Sequence, residues 1–190
     1  SAPGLGWLGW DGRKWEKVSD ARVLKAVKDA LLDFHMREGK AGADVQRLTE
    51  VTRLLSVHRM KAIVTVAQGE LEVDTDQLDA HPDLLNCANG VVDLRTGELS
   101  PHDPDLLLTR VTPIKYRDDA HHPDWETALE ALPPEVCEWM QVRFGQAATG
   151  HATPDDLLPV MQGGGSNGKS TMLAPIMRAL GDFAVPVPAR

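Results

Sequence analysis

The amino-acid sequence predicts an α+β fold, mainly α: a helical domain with short β-hairpins and a meander, then the first strand, glycine-rich loop and helix of an α/β domain. Three observations lead there. Apolar residues recur every three or four positions in three stretches between residues 19 and 68, the periodicity of a helix with one buried face. Between 81 and 110 the texture changes to short apolar runs cut by Asn89-Gly90 and Thr96-Gly97, dipeptides that turn the chain. From 155 onward an apolar run leads into GGGSNGKST and a further helical pattern. The expected domain boundary lies at 150, giving 1–150 and 151–190.

The elements follow in order. In WLGWDGRKWEKV, residues 7–18, Asp11-Gly12 is a hairpin turn flanked by the strand formers Trp7, Trp10 and Trp15. Bulky indoles are mostly buried, so these tryptophans are expected to anchor the hairpin onto the helices rather than to stack on bases. Ser19 or Asp20 caps a helix running to about Arg37, with Val23, Val27, Leu31 and Phe34 as its inner stripe and Leu24 widening it. Gly39 and Gly42 break it. A second helix is expected from Asp44 to Leu55 with Val45, Leu48, Val51 and Leu55 inward. A third runs from His58 to Gln68 with Met60, Ile63, Val64 and Ala67 inward. Short connections between three such helices imply a bundle. His58 reads as a helix-end or surface residue.

After Gly69 the sequence predicts a small meander around the strand Val91–Leu94, with Leu99 following the second turn. Asp74-Thr75-Asp76 and His121-His122 lack further ligands at metal-binding spacing and read as loop or cap chemistry, so no site built from protein ligands alone is expected. Residues Asp124–Leu132 form a short helix. Pro133-Pro134 opens the next, since proline fits a first helical turn, with Val136, Trp139, Met140 and Phe144 as its core face and Gly150 as its stop. No internal repeat is evident.

Composition narrows the function classes. Hydrophobic residues make up 42% and charged residues 25%, enough for a buried core. No apolar stretch approaches the ~20 residues of a membrane span, and no signal-peptide pattern is present. The first residue is Ser, as in an excised or processed chain. Cys87 and Cys137 sit outside any CxxC and read as reduced, mostly buried thiols of an intracellular protein. Net charge is -8, which argues against a nucleic-acid footprint over the whole surface. Residues 1–62 nonetheless hold twelve Lys and Arg against eight Asp and Glu, an excess of four, while 63–190 hold eight against twenty. Solvated helix faces account for this asymmetry more simply than a polyanion partner does.

The chemistry lies in the C-terminal motif. Asp155-Asp156 leads into LLPVMQ, an expected strand; GxxxxGK[ST] is then matched by Gly163, Gly168, Lys169 and Ser170, and a helix, STMLAPIMRALG, follows. Strand, loop and helix are the context of a phosphate-binding loop in an α/β P-loop NTPase domain. Glycines let several backbone N–H groups converge on phosphate oxygens, and the helix N-terminus adds its dipole. The candidate phosphate-binding residues are Gly163, Gly164, Gly165, Ser166, Asn167, Gly168, Lys169, Ser170 and Thr171. Lys169 would reach the outer phosphates of ATP and Ser170 would coordinate Mg²⁺. Pro159 is unwelcome in a central strand, and Pro175 would bend or shorten the helix. Hydrolysis also needs a carboxylate on a second strand, a group that orients water and commonly an arginine finger. No catalytic set is therefore complete in this chain; Asp182, in the loop-like GDFAVPVP, is the one carboxylate after Thr171.

LLNCANGVVDLRTGELSPHDPDLLLTR, then a Trp-containing helix, then WMQVRFGQAATG, then GGGSNGKST, resembles in this order the phage and plasmid primase–helicases related to the poxvirus primase–helicase. WDGRKWE resembles the opening hairpin of that family. The resemblance implies a mainly helical collar or linker, residues 1–150, placed before a superfamily 3 helicase domain whose start is 151–190. It implies a parent that unwinds DNA as an ATP-driven ring, usually a hexamer, in the cytoplasm of a bacterial host, with an upstream primase module in some members and no membrane partner. Walker B, sensor and arginine finger are missing, so this part alone is expected to be inactive. Two alternatives stand beside this: a non-enzymatic DNA-binding or oligomerisation module, and an unrelated P-loop NTPase.

Overall fold

Asp11 begins the turn of the first hairpin by local chemistry: its carboxylate accepts the N–H groups of Arg13 and Lys14 at 2.7 and 2.8 Å, an Asx-type turn. Strands β1 (Leu8–Trp10) and β2 (Trp15–Lys17) pair around it. The computed structural model describes residues 1–152, 155, 157, 159–162, 164–165 and 168–186. The fold is α+β, with a little under half the chain helical and two small antiparallel sheets. It divides into two units, residues 1–10 with 16–77 and residues 11–15 with 78–190.

The first unit is the expected three-helix bundle. Ser19 caps α1 (Asp20–Lys40) by accepting the N–H of Arg22. The helix continues through Gly39, three residues past the expected end at Arg37, and the break comes at Gly42, whose φ of +82° suits glycine. Asp44 caps α2 (Val45–Leu54) through a 2.8 Å bond from the N–H of Arg47. Helix α3 spans Val57–Glu70. Each helix packs on the other two. Burial is shallow: Ala2, Val51 and Met60 are enclosed, Val23, Val27 and Leu31 are half-buried, and α1 has no fully buried residue. Two expected core positions are corrected. Val45 is 80% exposed and Phe34 lies at the surface. Val45 is the first residue of a ten-residue helix, where a periodic stripe overhangs its neighbours.

The second unit holds the meander. Strands β3 (Leu84–Cys87), β4 (Gly90–Asp93) and β5 (Leu99–Ser100) form an antiparallel sheet in that order, with Cys87 opposite Gly90 and Val92 opposite Leu99. Gly90 has φ +150°, and a Cβ there would run into the carbonyl oxygen of Ser100. Asn86, Cys87, Val91, Val92, Leu108 and Thr112 are buried. Asn86, with no exposed surface, ties three segments together. Its Nδ2 donates to the carbonyls of Arg13 (2.9 Å) and Arg110 (2.8 Å), and its Oδ1 lies 3.0 Å from His102 Nδ1. Trp15 does act as an anchor, but on a loop rather than a helix: its indole N–H donates to Pro104 and its backbone N–H to Leu108.

Helices α4 (Pro123–Glu130), α5 (Pro134–Ala147) and α6 (Lys169–Leu180) complete this unit. Leu129 and Met140 are buried, whereas Val136 and Trp139, expected in the core, are 39% and 40% exposed. Gly150 is not the helix stop, since α5 ends at Ala147. It instead approaches Pro82, donating to its carbonyl at 2.8 Å where a Cβ would lie 2.9 Å from the Pro82 Cα. The strand expected across 157–162 does not form among the described residues; Leu157 and 159–162 pair with no strand there. Proline at 159 removes a ladder donor. Pro175 does not shorten α6, which runs through it to Leu180.

Candidate functional site

Helix α6 begins where the motif requires. Gly168, in the left-handed region at φ +80°, turns the chain into the helix, and the first intrahelical bond runs from Met172 N–H to the Gly168 carbonyl. The N–H groups of Lys169, Ser170 and Thr171 thus precede the helical ladder, the position from which a helix N-terminus meets an anion. A Cβ placed on Gly164, Gly165 or Gly168 would meet nothing within 4 Å, so the described part of the loop has space around it. These features fit a phosphate group. Gly163, Ser166 and Asn167 lie outside the described residues, as do Asp156 and Leu158 of the preceding run.

A cavity of about 620 Å³ adjoins this helix start. Leu132, Val136, Trp139 and Met140 form one part of its wall, Val160, Met161 and Gln162 another, and Gly168, Lys169 and Thr171 a third. The lining is mostly apolar, with Lys169 and Gln162 as its polar members of greatest reach.

An ion pair backs the Trp139 wall. The Arg143 guanidinium lies 5.1 Å from the centre of the Trp139 ring, within cation–π range. The same guanidinium grips Asp155 with both terminal nitrogens and reaches Gln146 Oε1 at 3.0 Å. These hydrogen bonds hold the Asp155 carboxyl below the usual carboxylate range and raise Arg143 further. Arg143 Nε is buried and finds no acceptor among the described residues.

Asp182, read from the sequence as part of a loop, sits in a 3-10 turn after α6 and bonds Lys14 Nζ at 2.7 Å. That bond, first among several causes, lowers its carboxyl below the ordinary value. At Gly181, φ +52°, a Cβ would run into Pro113. The turn after α6 is thus fastened to the hairpin turn and to the 110–113 segment of the same unit. Burial pushes the Asp11 carboxyl of that hairpin turn up, but hydrogen bonds from the Lys14 and Arg13 amides reverse the effect and leave it lowered.

The remaining candidates have local roles. Asp74-Thr75-Asp76 adjoins a 3-10 turn in which Gln77 N–H donates to the Asp74 carbonyl. His122 caps α4 through Asp124 N–H, and His121 pairs with Glu126. No group of three or more His, Cys, Asp or Glu among the described residues is placed to hold a metal ion. Both cysteines are free thiols; Cys87 is buried, which raises its pKa, and Cys137 is half-buried. Four of the twelve basic residues of 1–62 pair with carboxylates of the same segment, as Arg22–Glu16, Lys25–Asp29, Arg37–Asp33 and Arg47–Glu38. A groove in the helical unit does gather Arg47, Arg53 and Arg59 beside Phe34, with Glu50 among them. Sequence reasoning missed Arg143, Lys14 and Asn86. Arg143 stands four residues after Trp139, the one local signal for a stacked pair on a helix.

A family model described as "D5 N terminal like" matches residues 1–132, from the first hairpin through α4. No curated protein shows significant similarity to the chain. Among the described residues no helix is long and apolar enough to cross a membrane.

Proposed function

The chain belongs to the D5 N terminal like family, a phage and viral primase–helicase family of replication proteins, and from that premise we propose that it joins a collar-type module to the nucleotide-binding start of a DNA-unwinding motor. In this reading residues 1–150 are the collar and 151–190 open a superfamily 3 helicase domain that works as a ring, with DNA as its track. The observation that supports it most is a sequence conjunction: GxxxxGKS follows the family segment in one chain and leads into a helix that starts at Lys169.

The residues have distinct tasks. The N–H groups at the start of α6 and the Lys169 ammonium would hold the phosphates of ATP, and the Ser170 hydroxyl would orient toward Mg²⁺. The metal, when bound, neutralises phosphate charge. Turnover requires an acidic Mg²⁺ ligand, a water-orienting group and an arginine from outside this set. Calorimetric titration of the 190-residue chain with Mg²⁺ and inorganic tripolyphosphate tests the site. Binding that Lys169→Ala weakens at least tenfold supports it, and binding unaffected by that change sinks it. ATP hydrolysis by this chain stays at background.

A second reading draws on the Arg47–Arg53–Arg59 groove with Phe34 at its edge, a combination of cations and an aromatic suited to a single-stranded nucleic acid. Fluorescence anisotropy with single-stranded DNA over a salt series decides it, because phosphate-driven affinity is strongest at low salt. No binding at low salt removes this reading.

A further inference from the structure

We infer that Arg143 is a positioning residue for the phosphate site: acting through Asp155, it sets where the chain enters the glycine-rich loop, without itself touching the ligand. The inference rests on the phosphate-binding reading of Lys169 and the start of α6.

The chain between α5 and the loop needs such a fastening. Residue 157 and residues 159–162 join no strand among the described residues, so no ladder of backbone bonds fixes their course. Val160, Met161 and Gln162 nevertheless line one cavity with Gly168 and Lys169, so the approach to the loop and the start of α6 are brought to one place. At its upstream end this approach is tied to the residues just before β3. The Gly150 N–H donates to the Pro82 carbonyl at 2.8 Å, and His151 Nε2 lies 2.8 Å from Asp83 Oδ1. Nearer the loop it is tied to α5, where both terminal nitrogens of Arg143 reach the Asp155 carboxylate. The same carboxylate accepts the Leu157 N–H at 3.4 Å, so the grip extends into the apolar run.

The pair is built for direction more than for stability. Arg143 keeps 13% of its side-chain surface and Asp155 35%, and Arg143 Nε is buried with no acceptor among the described residues. Taking a guanidinium this far out of water is costly, and buried ion pairs are often replaceable by apolar residues with no loss of stability. An apolar pair cannot supply an orientation. The guanidinium lies over the Trp139 ring, 5.1 Å from its centre, and Gln146 Oε1 accepts from it at 3.0 Å. The fork therefore points one way, and its two-handed grip fixes the carboxylate that meets it. A misplacement of about 1 Å in groups that converge on a ligand is enough to cost function heavily.

Mg²⁺ with inorganic tripolyphosphate is titrated calorimetrically into the 190-residue chain and into its Arg143→Lys, Asp155→Asn and doubly substituted variants, and urea unfolding is followed for each. Charge alone predicts the opposite of positioning. Arg143→Lys keeps the cation and Asp155→Asn removes an anion near a site for a polyanion, so through-space attraction would leave the first unchanged and tighten the second. Positioning weakens both, because lysine lacks the planar fork and asparagine offers it one oxygen instead of two. Each single variant should bind about tenfold more weakly with its urea midpoint little changed, and the double variant no weaker than about tenfold, since both changes break one contact. Affinity within about twofold of the unmodified chain in either single variant, tighter binding by Asp155→Asn, or a loss of about a hundredfold in the double variant overturns the inference and leaves the phosphate site standing. A loss of affinity that tracks a lowered urea midpoint does the same and assigns the pair to packing. No binding of tripolyphosphate by the unmodified chain overturns the phosphate reading and this inference together.

Discussion

The two units of this chain hold themselves together by different means. In the helical unit the enclosed residues are few and apolar, Ala2, Val51 and Met60, and α1 runs 21 residues with no position fully buried. In the meander unit the most enclosed side chains include two polar ones, Asn86 and Thr112, at 0% and 1% exposure. The helices satisfy their own backbones and need only a shallow apolar seam to associate. Short strands do not: a two-residue edge strand such as β5 leaves most neighbouring loop backbone without a ladder partner. Asn86 supplies two such partners, to the carbonyls of Arg13 and Arg110. A fully paired buried polar group specifies geometry sharply, because leaving its partners unmet is costly.

The largest expected effect is at that residue. Asn86→Ala strands the carbonyls of Arg13 and Arg110 and leaves His102 without its partner, at a cost of about 3 kcal/mol or more, with each unmet group contributing ~1–3 kcal/mol. Asn86→Asp keeps the shape but cannot donate to the two carbonyls, and should lose a comparable amount. Urea unfolding measures both. Native-state hydrogen exchange then localises the loss, with faster exchange expected in β3–β5 and not in α1–α3. A loss below about 1 kcal/mol for Asn86→Asp would mean that packing, and not hydrogen bonding, sets the meander.

The helical unit should respond less. Met60→Ala empties one of its two enclosed helical seam positions, and truncations of this kind cost ~2–5 kcal/mol. The half-buried neighbours of Met60 can close around the gap, which places the effect near ~2 kcal/mol, with exchange rising in α1–α3. A greater loss than for Asn86→Ala would reverse the comparison. Smaller again is Asp44→Ala, which removes the side-chain cap of α2 and should cost about 1 kcal/mol. Substituting Ser56, which heads α3 with no side-chain bond, should cost only a few tenths of a kcal/mol against that typical cap value. Thermal melts of the two variants side by side separate the caps.

What could be read from the sequence follows the same division. The hairpin at Asp11-Gly12, the caps at Ser19 and Asp44, the inward Met60 and the turns around β4 are local: each depends on residues within a few positions of one another. The exposure of Val45 was hidden because periodicity shows which residues share a face, not how far the neighbouring helices extend to cover it. The Asn86 bonds span 73 and 24 positions, and a lone asparagine beside apolar residues reads first as a turn former. Gly150 reads as a helix stop because a close approach to Pro82 leaves no local trace. At the candidate site the motif marks where α6 begins, while the Arg143–Asp155 clamp spans twelve positions and joins α5 to a residue beyond it, a contact that leaves no local trace.

The smallest effect sharpens the comparison at the point where sequence said least. Lys14 and Asp182 stand 168 positions apart and bond at 2.7 Å, fastening the turn after α6 to the hairpin. Asp182 is half exposed, so solvent screening keeps the pair below about 1 kcal/mol. Its folded carboxyl pKa is depressed, which fixes the sign: the folded state prefers the ionised form. The contribution is fully present above the ordinary carboxylate value of about 3.9 and is lost as pH falls from there through the lower folded value. Asp182→Asn should therefore be slightly less stable than the unmodified chain at pH 7, and the two should converge once the pH falls below the depressed folded value. A difference that persists in acid would assign the effect of Asp182 to the shape of the 3-10 turn instead of its charge. The meander unit would then rely on neutral hydrogen bonds at its edge as it does at its centre.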